Sequence, residues 1–347
     1  MTGLTVGELG EQTLIARIKA RLPPQAPGLL VGPGDDAAVV ERPAGEEIAL
    51  TTDSLVEGVH FDRAFVPFEA LGHRALAVNL SDLAAMGARP LSCLLSFGLP
   101  EGTEVRDVDR LLDGFLAVAA RFKVVLAGGN ISSSPDVLFV DVTVLGSVSR
   151  RRILTRRGAR PGDEVWVSGE LGAAVAGLEW LKENRDSGFG IRDSNEDPRP
   201  DEPGLRACVE RYLRPEPRVR LGLALASHRA ASSCIDLSDG LADAVRQTSE
   251  ASRVSLVLDA EALPIAAGAR RWFEARGEPA SDRAMAGGDD YELMFTSAPK
   301  CRRRLDAVRR LGGVRLTRIG AVERGGRLAV RRNGREDELP PGFAHFR

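Results

Sequence analysis

The spacing of apolar residues divides the first half of the chain into alternating helices and strands. The N-terminal segment GELGEQTLIARIKARL places Leu14, Ile15, Ile18 and Leu22 at helical spacing, which predicts one amphipathic helix. Short apolar runs broken by glycine predict strands in GLLVGPG, AAVVE, EIALTTDS, LLSFGLP, VVLAGGN and VLFVDVTVLGSV. Two helical patterns, EALGHRALAVNLSDLAAMGA and VRDVDRLLDGFLAVAARF, lie between them. Strands interleaved with helices predict an α/β or α+β domain that ends near Val148.

A basic, turn-rich run, RRRILTRRGARPGD, follows this pattern and predicts a hinge. Beyond it, EVWVSG, SSCIDLS, VSLVLDAE and YELMFTS are typical of strands, and further strands are expected at the C-terminus. Helical patterns occupy AAVAGLEWLKE, RLGLALASHRA, GLADAVRQTSEAS and CRRRLDAVRRLG. The polar stretch Glu183–Gly204, with Pro and Gly throughout, predicts a long surface loop. We therefore expect two domains, 1–148 and 149–347.

Composition and charge exclude several classes of protein. The 347 residues carry 47 Lys+Arg against 49 Asp+Glu, a formal net charge of -2, which argues against holding nucleic acid by bulk charge. None of the 4 Lys follows a Gly, so the Walker A phosphate-binding pattern is absent. The 4 Cys include no C-x-x-C pair and the 4 His no close pair, which argues against a disulfide framework or a zinc site. With no secretory segment and no apolar run near ~18 residues, we expect a cytoplasmic protein that does not enter membranes.

The informative feature is where the Asp residues fall. They lie at the edges of, or inside, segments otherwise suited to burial: GPGDDAAVV, ALTTDSLVEGVHF, AVNLSDLAAMG, SCIDLSDGLADA and MAGGDDYELMF. One Asp after a strand is usually a turn or cap residue, but five repetitions weaken that interpretation. If the carboxylates converge, two of them ~4 Å apart repel by about 4 kcal/mol at an effective dielectric of about 20, so cations must neutralise them. Oxygen ligands favour Mg²⁺, Mn²⁺ or Ca²⁺, and Mg²⁺ with substrate phosphates is typical of phosphoryl transfer.

Three motifs have two interpretations each. Asn79 and Asp82 share one face of a predicted helix with nearly uncharged surroundings, either as a surface patch or with the Asp paired to a metal. In CIDLSDGLADAV, Ser238 or Asp239 is either the N-cap of the next helix or part of a phosphate site at its N-terminus. The predicted turn GGN, Gly128–Asn130, would let the backbone approach a nucleotide, although two glycines alone are weak support.

Two single residues are harder to assign from their surroundings. Arg156, in ILTRRG, would clamp a phosphate by bidentate hydrogen bonds, whereas solvation at the surface is the commoner role of such arginines. His60, in EGVHF, follows an apolar run, where a histidine is more often structural than chemical. No G-x-S-x-G nucleophile elbow and none of the protein-kinase signatures is present.

The motifs also follow a particular order along the chain. GELGEQTLIARI, GPGDDAAVV, TTDSLVEGVHF, ALAVNLSDLAAMGARP, GGN, LTRRGARPGD, IDLSDGLADA and GGDDYELMF run from Gly7 towards the ending PPGFAHF. In wording and order they resemble thiamine-monophosphate kinases, members of the aminoimidazole ribonucleotide synthetase superfamily. The resemblance implies an α/β (α+β) fold with an N-terminal domain that binds ATP and Mg²⁺ and pairs its sheet with that of a second copy in a homodimer. A C-terminal α+β domain would complete the nucleotide and substrate site.

The same resemblance implies a reaction and its residues. ATP and thiamine monophosphate would give ADP and thiamine diphosphate by direct in-line transfer assisted by several Mg²⁺ ions. The implied metal ligands are Asp35, Thr51, Thr52, Asp53, Asp82, Asn130, Asp236 and Asp239. The implied ATP contacts are Gly129, Asn130, Arg156 and Ser238, and the implied substrate contacts are His60, Asp289 and Phe343. Asp53, Asp82 and Asp236 stand at the implied catalytic centre.

Three positions depart from the family pattern. Asn130 stands where the family commonly has Asp, so it keeps an oxygen ligand without a charge; Asp289 stands where many relatives have Glu; and Phe343 offers a ring without a hydroxyl. The alternatives are a related ATP-dependent enzyme of the superfamily, or a metal-binding homologue without turnover, which only Asn130 supports. The first Cys, Cys93, lies in an apolar strand and the chain ends FAHFR, which argues against the selenophosphate synthetase and hydrogenase-maturation relatives.

Overall fold

The computed structural model describes residues 3–23, 26–31, 38–185 and 200–342. Its helices are α1 (Val6–Leu9), α2 (Glu11–Lys19), α3 (Phe68–Ala85), α4 (Val105–Phe122), α5 (Ala173–Glu183), α6 (Pro203–Leu213), α7 (Val219–His228), α8 (Leu241–Ser252), α9 (Ala267–Glu274), α10 (Ala280–Ala286) and α11 (Arg302–Gly312). Its strands are β1 (Leu29–Val31), β2 (Val39–Val40), β3 (Glu47–Val56), β4 (Arg89–Leu99), β5 (Val125–Ser133), β6 (Phe139–Val148), β7 (Glu164–Ser168), β8 (Ser233–Asp236), β9 (Ser255–Asp259), β10 (Leu293–Ser297), β11 (Leu316–Glu323), β12 (Leu328–Arg332) and β13 (Arg335–Glu338).

The described residues form two compact units. The first takes the described parts of 1–80 and 89–149 together with Arg185, and the second takes 81–88, 150–184 and 200–342. The end of α3, from residue 81, thus clusters with the second unit. The predicted loop Glu183–Gly204 falls largely on residues outside the described ones.

The N-terminal helix is broken where the sequence predicts one continuous helix. Gly10, with φ +81° and ψ 153°, ends α1 and precedes α2. Residues with a side chain rarely adopt this backbone conformation, so the glycine allows the break. Leu14 on α2 is buried, as the apolar spacing predicts, whereas the continuity of the helix was predicted wrongly.

The first unit contains a four-stranded sheet in the order β3-β6-β4-β5. β6 runs antiparallel to both β3 and β4, and β5 runs parallel to β4. One face of this sheet, which we call the buried face, carries Val140, Val142 and Val144, all 0% exposed. The other, the open face, leaves Leu50 67% and Leu94 38% exposed. Alternate residues of each strand therefore lie in different surroundings.

Two glycines let α3 and α4 approach each other backbone to backbone. A Cβ on Gly72 of α3 would lie 1.8 Å from the carbonyl oxygen of Leu111, and one on Gly114 of α4 would lie 1.9 Å from that of Glu69. Both helices were predicted from their periodicity, and both are confirmed. No side chain fits at either crossing point, because real Cβ atoms do not approach backbone so closely.

The second unit is built on a seven-stranded sheet in the order β13-β12-β9-β11-β7-β10-β8. All neighbours are antiparallel except β12 and β9, which are parallel. The predicted strands of this half and the four predicted helices α5, α7, α8 and α11 are present. Its core includes Phe273, Met285, Met294 and Ile319, each 0% exposed. Together the two units confirm the predicted mixed α/β class.

The cysteines are free thiols in this structure. Cys93, Cys208 and Cys234 are buried, as predicted, whereas Cys301 is only partly buried. Burial raises the pKa of the Cys208 thiol to about 12. Among the helices of the described residues, none combines the length and the apolar character needed to cross a lipid bilayer.

The crossing of α3 and α4 makes a stability prediction. Gly72→Ala should lower the free energy of unfolding by about 3 kcal/mol, because the new methyl group must push apart two backbones in contact. Gly102→Ala is the control, since a Cβ there meets nothing within 4 Å, and should change stability by less than about 0.5 kcal/mol. Urea unfolding of both variants checks this. Equal stabilities would show that α3 and α4 can separate without cost.

Candidate active site

Strand β3 carries three of the implied metal ligands, but not on one face. Thr51 and Asp53 lie opposite buried valines of β6, whereas Thr52 lies opposite Thr143. Directly opposite residues of an antiparallel pair share a face, so Thr51 and Asp53 belong to the buried face and Thr52 to the open face. The Thr52 hydroxyl donates to the carbonyl of Val142 at 3.2 Å and lies 3.1 Å from the Thr143 hydroxyl.

The GGN motif is part of strand β5, and the prediction of a turn there was wrong. Gly129 pairs with Leu95 of β4, and a Cβ on it would lie 1.8 Å from the Leu95 carbonyl oxygen. The glycine therefore serves a close approach of two strands instead of a change of direction. Asn130 pairs with Ser96 on the open face, is exposed, and donates from Nδ2 to the Ser132 hydroxyl at 3.0 Å.

His60 is held by the turn that follows β3. The ring Nδ1 of His60 accepts a hydrogen bond from the backbone N–H of Val56 at 3.1 Å. The backbone N–H of His60 in turn donates to the Val56 carbonyl at 2.9 Å. Because Nδ1 accepts, the proton of the neutral ring lies on Nε2. The hydrogen bond to Nδ1 gives His60 the structural role that its surroundings favour, and the Nε2–H of the ring is a hydrogen-bond donor.

In the second unit, Asp236 ends β8 and is 5% exposed. The hydroxyl of Ser81, 0% exposed, donates to Asp236 Oδ2 at 2.7 Å. Asp82 follows Ser81 on α3 and is partly buried. A Cβ on Gly222 of α7 would lie 2.0 Å from the carbonyl oxygen of Ala84, so α7 packs closely on this end of α3. Two of the three implied catalytic carboxylates thus stand on segments that are in contact.

Backbone hydrogen bonds join the IDLSD and GGDDYEL motifs. The N–H of Asp289 donates to the Ser238 carbonyl at 2.7 Å. The N–H of Tyr291 donates to the Leu237 carbonyl at 3.0 Å, and the N–H of Leu237 donates to the Glu292 carbonyl at 2.8 Å. An implied ATP contact, Ser238, and an implied substrate contact, Asp289, are therefore held next to each other.

Neither Ser238 nor Asp239 is the N-cap of α8, so that interpretation is wrong. The N-cap is Gly240, with φ +94°, and a glycine has no side chain with which to cap the helix. A Cβ on Gly240 would lie 2.5 Å from the carbonyl oxygen of Gly287, so only glycine lets the two loops meet. The N-cap residue of α8 therefore offers no side-chain acceptor to the first backbone N–H groups of the helix.

Asp290, which belongs to the acidic motif MAGGDDYELMF, and Tyr291 were given no role in the site from the sequence. Asp289 and Tyr291 have φ of +68° and +48°, and the Tyr291 hydroxyl donates to Asp289 Oδ1 at 3.2 Å. Burial raises the pKa of Asp290 between them to about 7, against the opposing effect of the N–H groups of Gly172 and Ala174 that donate to it. Acidic residues directly before a buried strand are the sequence signal for Asp290, but its contacts with Gly172 and Ala174 come from a distant segment and have no local signal.

Arg156 lies on an exposed loop fastened to the end of α8. The Ser252 hydroxyl donates to the Arg156 carbonyl at 3.2 Å and accepts from the N–H of Gly158 at 3.0 Å. The implied metal ligand Asp35 and the implied substrate contact Phe343 lie outside the described residues. Within the described ranges, no group of three or more His, Cys, Asp or Glu side chains is close enough to hold a metal ion.

Comparison with known proteins identifies the fold class first. Residues 34–148 match the family described as AIR synthase related protein, N-terminal domain. The thiamine-monophosphate kinase structure from Stenotrophomonas maltophilia K279a has a TM-score of 0.81 at 37% identity and covers 94% of this chain and 96% of its own. The chain therefore has the AIR synthase-related fold.

The family follows from the full-length relatives. The thiamine-monophosphate kinase of Aquifex aeolicus (strain VF5) is 36% identical over 341 residues, covering 98% of this chain and 99% of its own. The structure of AaThiL complexed with AMPPCP and TMP has a TM-score of 0.74 at 34% identity and covers 100% of both chains. This chain belongs to the thiamine-monophosphate kinase family, which confirms the resemblance found in its motifs.

The contact between Ser81 and Asp236 makes a second stability prediction. Ser81→Ala should lower the free energy of unfolding by about 1.5–3 kcal/mol, because a buried carboxylate loses a hydrogen-bond donor. Ser227→Ala removes a hydroxyl that bonds only within its own segment of α7 and should cost less than about 0.5 kcal/mol. Thermal unfolding of both variants measures the difference. Similar losses of stability in the two variants would mean that the hydrogen bond from Ser81 to Asp236 does not stabilise the fold.

Proposed function

We propose that this chain transfers the terminal phosphoryl group of ATP to thiamine monophosphate, giving thiamine diphosphate and ADP. Two observations carry this function. The chain is 36% identical to a thiamine-monophosphate kinase over 98% of its length, and it shares its fold with AaThiL complexed with AMPPCP and TMP. The chain is accordingly a phosphotransferase whose acceptor is a phosphate group.

The acceptor chemistry explains why a set of residues poor in histidine is sufficient. The attacking atom is an oxygen of a phosphate that is already ionised, so no general base has to remove a proton. Phosphoryl transfer then depends on positioning and on stabilising the charge of the phosphates. We assign ATP contacts to Gly129, Asn130, Arg156 and Ser238. The N-terminus of α8 begins three residues after Ser238 and has a glycine as its N-cap, which supports a phosphate contact there.

The donor set fits Mg²⁺, which prefers carboxylate, hydroxyl and amide oxygens. The buried carboxylate of Asp236, next to the segment that carries Asp82, supports this because a charge out of water needs a counter-charge. When bound, the ions would neutralise the charge of the phosphates. The residues that we propose as metal ligands are Asp35, Thr51, Thr52, Asp53, Asp82, Asn130, Asp236 and Asp239, with Asp53, Asp82 and Asp236 also at the catalytic centre.

Substrate contacts are assigned to three residues. The ring Nε2–H of His60 would donate a hydrogen bond, and the Asp289 carboxylate would accept one or balance the positive thiazolium ring. Phe343 would stack on a ring of thiamine monophosphate. The Tyr291 hydroxyl donates a hydrogen bond to the Asp289 carboxylate and so helps to hold that side chain in place.

The assembly and location complete the proposal. We propose a homodimer that pairs the open face of the first sheet with that of a second copy, because Leu50 and Leu94 there are exposed apolar residues on a paired strand surface. The domain boundaries 1–148 and 149–347 belong to the same proposal. Free cysteine thiols support a reducing, cytoplasmic location.

The direct test is a coupled assay of ADP release from ATP and Mg²⁺, with thiamine monophosphate, with free thiamine, and with neither. We expect release that depends on thiamine monophosphate and not on free thiamine, because thiamine offers a hydroxyl that needs a base. Comparable turnover of free thiamine would overturn the proposed acceptor. Absence of any release would favour a metal-binding homologue without turnover.

The role of Asp82 can be separated from a structural one. Asp82→Asn should reduce kcat by about 100-fold or more while the melting temperature stays near that of the wild type, because charge stabilisation supplies most of the rate in phosphoryl transfer. Asp306→Asn on α11, which removes an exposed partner of Arg309, is the matched control and should leave both unchanged. Near-normal kcat in folded Asp82→Asn would remove Asp82 from the metal ligands.

The role of Asn130 can be tested by restoring the family's usual residue. A carboxylate there would attract Mg²⁺ and repel ATP phosphates, and a unit charge pair ~4 Å apart is worth about 4 kcal/mol at an effective dielectric of about 20. The divalent charge makes the attraction larger, so Asn130→Asp should lower the Mg²⁺ concentration for half-maximal rate at fixed ATP. A requirement that is equal or higher would mean that Asn130 does not bind the metal.

A further inference from the structure

Two carboxylates next to Asp289 are buried and take no part in the assignments above. Asp290 is 1% exposed and Glu292 is 0% exposed. They alternate with Asp289 and Tyr291, whose φ values of +68° and +48° lie in the left-handed region that residues with side chains rarely adopt. A residue with a side chain is strained in this region, so contacts around the segment must maintain its conformation.

Glu292 receives hydrogen bonds from three side chains. Arg218 donates from Nε to Oε2 at 2.7 Å and from Nη2 to Oε1, and Arg211 also donates to Oε1. The Ser168 hydroxyl donates to Oε2 and accepts from the N–H of Leu293 at 2.9 Å. Glu292, the residue just before β10, is thereby tied to α6, to the N-cap of α7 and to the end of β7.

Gly169 shows how little room is left around this carboxylate. Its φ is +60°, and a Cβ on it would lie 2.1 Å from Glu292 Oε1. The glycine therefore meets two demands at once, a left-handed backbone and space for the carboxylate.

Asp290 is fixed to a different element. Its Oδ2 accepts from the N–H of Gly172 at 2.7 Å and its Oδ1 from the N–H of Ala174 at 3.2 Å, so it takes the place of a capping side chain at the start of α5. Asp290 thus anchors the middle of the segment 289–291 to α5, and Glu292 anchors the residue that follows the segment to β7, α6 and the N-cap of α7.

We propose that Asp290 and Glu292 form a carboxylate brace that holds Asp289 and Tyr291 in their left-handed conformations and so aims the Asp289 side chain at thiamine monophosphate. The proposal rests on the proposed function. Asp290 and Glu292 are positioning residues in it, because they act through the backbone of Asp289 and not on the substrate. Arg211 and Arg218 balance the charge of Glu292.

The same sheet offers a matched control. Glu164 starts β7, is 4% exposed, and pairs with Arg302 and Arg318. Arg302 donates to it from both Nε and Nη2, as Arg218 does to Glu292. Glu164 lies four positions before Ser168, which is about 13 Å along the strand. A loss of stability alone should therefore be common to both clusters, whereas an effect on Asp289 should be specific to Glu292.

The experiment compares Glu292→Gln with Glu164→Gln in steady-state kinetics and in hydrogen exchange of residues 287–293. We expect Glu292→Gln to raise the KM for thiamine monophosphate about tenfold, with a change of less than about twofold in the KM for ATP, and to speed exchange in 287–293. Glu164→Gln should leave both KM values and this exchange unchanged. Arg218→Lys and Arg302→Lys form a second, milder pair, because lysine keeps the charge but loses the two-pronged contact.

The results separate the brace from the proposed function. Folded Glu292→Gln and Arg218→Lys with an unchanged KM for thiamine monophosphate, or effects equal to those of the control pair, would overturn the brace. If the wild-type protein does not phosphorylate thiamine monophosphate, the proposed function is overturned. The proposal that Asp289 is oriented towards that substrate is then overturned as well. The exchange comparison would then decide whether the brace holds the backbone of 289–291.

Discussion

The second unit depends on the backbone ladder that joins β8 to β10 and continues past the ends of both strands. Asp236 pairs with Leu293 within the sheet, and the next hydrogen bonds run between Leu237–Ser238 and Asp289–Glu292 in the loops. Two chain segments separated by about fifty residues are thus in register where their functional side chains begin. Strand pairing sets that register. The relative position of the two motifs is therefore fixed by the sheet and does not depend on the conformation of a flexible loop.

The composition of the chain suits this arrangement. Nearly all of its positive charge is Arg, with only 4 Lys among 47 basic residues. The planar guanidinium matches a carboxylate with two parallel donors and is less strongly hydrated than an ammonium group. Buried carboxylates such as Glu292 can therefore be balanced by side chains that reach in from neighbouring helices.

Local patterns predicted the long elements well and failed where a distant backbone decides the conformation. The 18-residue helices α3 and α4 follow from periodicity alone. The GGN motif was predicted as a turn because of its glycines, whereas Gly129 makes room for the Leu95 carbonyl of β4, which no local pattern reveals. The helices α9 and α10, of 8 and 7 residues, were missed because about two turns give little periodicity, whereas α6 was missed although it is as long as the predicted α5. Among the site residues, the separation of Thr52 from Asp53 is a plain consequence of strand alternation, whereas the contacts of Glu292 come from residues more than seventy positions away.

The strand order of the second sheet has a consequence for synthesis of the chain. Its interior strand β7, near residue 165, lies between β10 and β11, which begin at residues 293 and 316. Such long-range pairing slows folding, because a large loop must close before any contact forms. The strands of the first sheet all lie between residues 47 and 148 and can pair while the ribosome is still making the rest. During translation β7 therefore waits, with unpaired edges, for about half of the chain to emerge, and this is the interval in which a nascent chain most needs protection from aggregation.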